Sequence, residues 1–161
     1  MAEKKTFRNA NIIWRNFRGE ASMYNANGNR SFAILIKDPD VAQELIDEGY
    51  SLKVLKKKDI NDDDAWALKV KVRFDVRPPK VKMVTYPNGR MKTTDLNEDT
   101  ISALDWAEAQ KIDLTISPYE WVLPNGNSGI TAYLEVMYFT PVEDALEAEY
   151  TEHLDDDEAP F

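Results

Sequence analysis

From Trp66 to Phe74 the chain reads WALKVKVRF, and its apolar and polar positions alternate without a break. Leu68, Val70, Val72 and Phe74 face one way and Lys69, Lys71 and Arg73 the other, the period of a strand with one buried face. KVKMV (80–84) resumes the alternation after RPP; proline cannot donate to a ladder, so the chain must bend or bulge there. NIIWRNFR (11–18) and SFAILI (31–36) predict two further strands, joined by the polar segment GEASMYNANGNR with its Asn-Gly turn signal. KIDLTISPYEWVL and ITAYLEVMYFT, on either side of PNGNSG, predict two more.

Two segments follow a helical period instead. In DPDVAQELIDEG, Asp38 can cap, Pro39 suits the first turn and Gly49 can end the helix. Its apolar residues Val41, Leu45 and Ile46 form one narrow stripe. LNEDTISAL predicts a second short helix with acids in its first turn. Five or more short strands with one or two helices predict a mainly β fold, a small barrel. No internal repeat is present.

Composition narrows the function classes. A chain of 161 residues with 43% hydrophobic residues suits one domain with a real core. With no cysteine, disulfides, thiolate chemistry and Cys-based zinc sites are excluded. No apolar run is long enough to cross a bilayer, and MAEKKTFRN leads into no signal-type segment, so a soluble intracellular protein without membrane partners is expected. The single histidine, His153, lies near the acidic end, which leaves no His-based triad or metal cage in the body. Asp62, Asp63 and Asp64 are consecutive and read as a solvated loop rather than a magnesium site. There is no phosphate-cradling glycine loop and no nucleophile elbow. The expectation is a protein that is not an enzyme, with no catalytic residue, no metal and no cofactor.

The net charge of −9 is misleading until it is divided. Residues 141–161 carry nine of the 29 acidic residues and none of the 20 basic ones, so residues 1–140 are neutral. Between Lys53 and Lys92, twelve basic residues face five acidic ones. This organisation predicts a folded domain over 1–140 and a disordered acidic tail over 141–161.

A basic, strand-rich middle suggests a phosphate-binding face. Cations on alternate residues of one strand stand about 6.6 Å apart, close to the phosphate spacing of an extended single strand. Lys69, Lys71 and Arg73 form one such row and Lys80 and Lys82 a second, with Arg30 at the start of the 31–36 strand. The competing reading is a solvated strand whose lysines only discourage aggregation. Aromatic residues weigh against it, because rings beside a basic face stack bases. Tyr24, Tyr86, Tyr119 and Trp121 are the candidates, whereas most of Trp14, Phe32, Trp66, Phe74, Trp106 and Tyr133 are expected in the core.

The chain ends in HLDDDEAPF. This tip resembles the C-terminal peptide of bacterial and phage single-stranded DNA-binding proteins, through Asp155, Asp156, Asp157, Pro160 and Phe161, with Glu158 a further acid. In the body, NFRGEASMYNANGNRSFAILI, RPPKVKMV, EDTISALDWAE and DLTISPYEWVLPNGNSGITAYLEVMY are similar to the single-stranded DNA-binding proteins of tailed phages. The resemblance implies an OB fold, in agreement with the barrel predicted from periodicity. It also implies a protein that coats and protects single-stranded DNA in phage replication, recombination and repair, in the cytoplasm of the infected bacterial cell. Asp155, Asp156, Asp157, Glu158, Pro160 and Phe161 would then recruit a polymerase, helicase or recombinase, the ring filling an apolar pocket with a basic rim. A homo-oligomer is compatible with this reading. A DNA-mimic inhibitor of a host nucleic-acid enzyme is the alternative, and it would need its acids on the folded body.

Overall fold

The computed structural model describes residues 3–21, 28–55, 64–75 and 77–142. The described residues form nine strands and one α-helix: β1 (Lys5–Phe7), β2 (Asn11–Asn16), β3 (Arg30–Ile36), α1 (Pro39–Glu48), β4 (Leu52–Leu55), β5 (Ala65–Val72), β6 (Lys80–Thr85), β7 (Lys92–Leu96), β8 (Ala109–Val122) and β9 (Ser128–Pro141). The strands make one sheet in the order β1-β8-β9-β5-β3-β2, with β4 added against β5, and β6 joining β9 to β7. Among the described residues β1 and β2 do not pair, so the barrel stays open along that seam.

Helix α1 forms as its caps require. Asp38 accepts a hydrogen bond from the Asp40 N–H at 2.9 Å, and the Gly49 N–H returns to the Ile46 carbonyl at 3.1 Å. Gly49 has φ 120°, and a Cβ there would stand 3.3 Å from the Ile130 side chain, so glycine serves both the turn and the approach to β9. The second predicted helix is instead a short 3₁₀ turn, Ile101–Asp105, that buries Ile101 and Leu104. Two buried residues three apart do not make a longer amphipathic stripe, and one tight turn is enough to insert both side chains.

The long β8–β9 hairpin is the spine of the fold. Along β8 the buried residues are Ile112, Leu114 and Ile116; along β9 they are Ile130, Ala132 and Leu134, then Met137 and Phe139. The change from even to odd positions falls at Glu135, where Thr115 pairs with Val136 but Ile116 pairs with Leu134. One extra residue in β9 therefore keeps both halves of the strand facing the core. Pro118 sits in β8 beyond the last β1 partner, Ile116, where the strand is an edge and a missing N–H costs no ladder bond. Phe17 and Phe32 stack at 5.2 Å in the centre of the apolar cluster.

β5 and β6 behave as one strand interrupted by the RPP segment. Lys71 pairs with Tyr133 and Lys80 with Val136, so nine steps of one chain oppose three of the other. The surplus loops out from the sheet and is pinned by a bridge between Arg73 and Arg77. That excursion builds the most distinctive feature of the outer surface.

Candidate nucleic-acid interface

On β5 the alternation holds as the sequence predicts: Leu68, Val70 and Val72 are buried, while Lys69 is exposed and Lys71 half-buried on the outer face. Lys71 lies beside Ser31 of β3 and Tyr133 of β9; Lys69 lies beside Ala33. Neither lysine makes an ion pair with another described residue. Their ammonium groups remain available to an anion.

The β5–β6 excursion carries Arg77 back over the same face. Its guanidinium carbon stands 5.4 Å from the Tyr133 ring centroid and 5.7 Å from that of Tyr119. Tyr119 and Tyr133 meet edge to face at 6.2 Å. Tyr119 is 48% exposed. A flat cation lying on two tyrosines, next to two unpaired lysines, offers stacking surface and positive charge within one patch.

Trp121 follows on the same side of β8, opposite Gly129. A Cβ on residue 129 would come within 2.6 Å of the indole, so glycine lets the ring lie flat across β9. The hairpin end thus continues the aromatic surface begun by Tyr119.

The other candidate residues divide. Arg73 is held by Asp75 through two hydrogen bonds, of 3.0 and 2.9 Å. That partner raises the guanidinium pKa above its ordinary value, chiefly through the hydrogen bond and then through the charge. Lys82 pairs with Asp95 at 3.3 Å, while Lys80 is exposed; both lie on the outer face of β6 beside Val136 and Tyr138. Arg30 has the parity of the buried face: it lies over Phe74 at 5.5 Å and pairs with Glu98 at 3.3 Å. Tyr86 is exposed near Gln110 and Pro141, at the far end of β9 from Tyr133. By strand rise that is about 25 Å away. Lys69, Lys71, Tyr119 and Trp121 therefore share a surface that Arg30 and Tyr86 do not.

Tyr24 lies outside the described residues, as do Asp155, Asp156, Asp157, Glu158, Pro160 and Phe161.

The assignment of most of the large aromatics to the core needs correction at Trp14 and Trp106. Of the six expected there, Phe32 is buried, Trp66, Phe74 and Tyr133 are partly covered, and Trp14 and Trp106 are 54% and 71% exposed. Trp106 projects from the end of the 3₁₀ turn with the Arg18 guanidinium 5.0 Å from its ring. The described core is filled by branched aliphatics, three phenylalanines, Met137 and Tyr50, and its largest fully buried side chains include no Trp. Arg77 and Tyr133 were the site residues hardest to see in the sequence. The only signal was RPP, which marks an excursion without saying what it covers.

Among the described residues no three His, Cys, Asp or Glu side chains group to hold a metal ion, and no helix is long and apolar enough to cross a membrane. No curated protein sequence matches the chain. The family described as the phage ssDNA-binding domain matches residues 2–160, nearly the whole sequence. The chain belongs to the phage ssDNA-binding domain family.

Solved structures agree with this phage ssDNA-binding domain at the level of the fold. The single-stranded DNA-binding protein from bacteriophage Enc34 in complex with ssDNA is similar at a TM-score of 0.54, with 14% identity and 88% of each chain covered. A second structure of the single-stranded DNA-binding protein from bacteriophage Enc34 is similar at 0.52 and 14% identity, over 88% of this chain and 83% of that one. Its C-terminal truncation is similar at 0.51 and 14% identity, over 88% of both chains. The open sheet with its single helix is thus the OB-like fold of phage single-stranded DNA-binding proteins.

Proposed function

We propose that the protein binds single-stranded DNA without catalysis, on the outer face of β5, β8 and β9. The observation that carries this reading is the adjacency of Lys69 and Lys71, both without an acidic partner among the described residues, to the Arg77–Tyr119–Tyr133 cluster. The lysines neutralise phosphates, and the exposed rings and the Arg77 plane accept bases. Such contacts read no base edge, so binding is tolerant of sequence, as coating a strand requires. Family membership and the ssDNA complex of the Enc34 protein support the same ligand.

The wider role follows from the ligand and from the charge layout. The protein protects exposed strands during phage replication, recombination or repair, in the cytoplasm of the infected bacterium. The acidic end, 141–161, recruits a polymerase, helicase or recombinase and competes with DNA for the basic face. A DNA mimic fits less well, because the body over 1–140 is neutral and presents unpaired lysines.

The test is a gel shift of labelled oligo-dT, with and without magnesium. A retarded, uncleaved band in both conditions is expected. Cleavage with magnesium would point to a nuclease, and no shift at any protein concentration would end the reading.

A further inference from the structure

Trp14 stands in a backbone conformation that its side chain disfavours. Its φ is 53°, in the left-handed region where glycine is at ease and a bulky residue is an outlier. The cause is a bulge: Ile13 pairs with Ala33 and Asn16 with Ser31, so three steps of β2 oppose two of β3. Glycine is the usual solution at such a position. The chain instead places its largest side chain there, and leaves it 54% exposed.

The ring is not loose. The Lys53 ammonium lies 5.3 Å from its centroid, although Lys53 is on β4, with β5 and β3 between it and β2. The two side chains must therefore reach toward each other over the outer face of the sheet. Beneath them that face carries Ala33 and Ala67, which point outward by parity and yet are 1% and 2% exposed. Small residues make the floor, and the indole and the lysine stem cover it. A half-exposed indole laid over a sheet, with a cation against it, presents a π-face and a charge together.

The position matters as much as the ring. The bulge lies between the levels of Ala33 and Ser31, whose partners on β5 are Lys69 and Lys71, and Lys71 is level with Tyr133. Trp14, the two unpaired lysines and the Arg77–Tyr119–Tyr133 cluster therefore form one row across the strands. Three strand spacings, about 14 Å, separate Trp14 on β2 from Tyr133 on β9, and four, about 19 Å, separate it from Tyr119 on β8.

We propose that Trp14 is a second base-stacking platform, raised by the bulge and held over the sheet by Lys53, so that single-stranded DNA runs across the strands from Trp14 over Lys69 and Lys71 to Tyr133. This rests on the reading of the protein as an ssDNA binder and adds the path and its far end. Strained residues persist where the surroundings over-determine them, typically at ligand sites. Here the strain aims a stacking surface that a regular strand would turn aside.

The experiment titrates the full chain with labelled oligo-dT, following anisotropy and tryptophan fluorescence, for the parent, Trp14→Gly and Trp14→Phe. Glycine suits φ 53°, so Trp14→Gly should melt no lower than the parent while binding oligo-dT about 5- to 150-fold more weakly. Trp14→Phe should keep most of the affinity but lose much of the DNA-induced quench of tryptophan emission. Trp14→Gly binding as tightly as the parent would overturn the proposal. Should the glycine variant fail to fold, an undiminished quench in Trp14→Phe would overturn it instead. A parent chain that does not bind oligo-dT would remove the ssDNA reading itself, a result distinct from a failure confined to Trp14.

Discussion

Arg77 lies over Tyr133, its guanidinium carbon 5.4 Å from the ring centroid, although 56 residues separate them in the chain. The contact exists because β5 leaves the sheet at Arg73 and returns as β6 at Lys80, and the intervening loop folds back across β9. Arg77→Ala should weaken oligo-dT binding and lower the magnitude of its log–log salt slope by about 0.7, the value for one phosphate on a single strand. Arg77→Lys should restore the slope but not all the affinity, because an ammonium keeps the charge and loses the flat surface. A salt titration of the three proteins checks this. An unchanged slope in Arg77→Ala would mean that the cation serves only to brace the tyrosines.

Lys69 and Lys71 should act as a pair. Replacing both with alanine should reduce the slope by about 1.4, two phosphate contacts. Arg73 should add less than its place in the alternation suggests, because Asp75 already holds it. Asp75→Asn should then raise affinity at low salt by releasing that guanidinium, and the gain should fade as salt screens the charge. Affinity unaltered by Asp75→Asn at low salt would place Arg73 outside the DNA path.

The strong local signals in the sequence carried through to the structure. Asp38, Pro39 and Gly49 fixed α1 almost to the residue, and the 66–74 alternation placed Lys69 and Lys71 outside and Val70 and Val72 inside. β1, β4 and β7 left no comparable trace, because edge strands of three to five residues bury too little to impose a period. The two bulges were also silent. An extra residue at Glu135 breaks the alternation of ITAYLEVMYFT, and only the paired strand shows that the break preserves one face. Trp14 and Tyr133 were expected in the core because large rings usually bury well. The exposure of Trp14 and the half-buried place of Tyr133 depend on backbone geometry and on β5–β6 loop placement, which no local pattern encodes.

Asp105 joins the 3₁₀ turn to the end of β2, accepting hydrogen bonds from the Phe17 N–H at 2.7 Å and the Arg18 N–H at 2.9 Å. Phe17 itself is fully buried. Asp105→Ala strands the partly covered Phe17 donor, while water can replace the carboxylate at the exposed Arg18 N–H, and should destabilise the fold by about 1–3 kcal/mol. The carboxylate is not on the β5 outer face, so the salt slope of oligo-dT binding should not move. Thermal melting and a salt titration on the same sample separate the two effects. A changed slope with unchanged melting would assign Asp105 to the DNA site.

The acidic end should oppose DNA electrostatically. Deleting Glu152–Phe161 removes Glu152, Asp155, Asp156, Asp157 and Glu158, taking the formal net charge from −9 to −4. Buried apolar residues of the described core run from Ile12 to Phe139, so melting should be nearly unchanged. A tethered polyanion competes at high effective concentration for the same cations as the strand. Its loss should therefore raise oligo-dT affinity at low salt, and the truncated and full chains should converge as salt rises, because screening weakens both interactions. Phe161→Ala removes no charge and should leave that competition in place while abolishing capture of a replication or recombination partner. Equal oligo-dT affinity of the truncated and full chains at every salt concentration would discard competition by the acidic end. Partner capture that survives Phe161→Ala would discard the docking role of the ring.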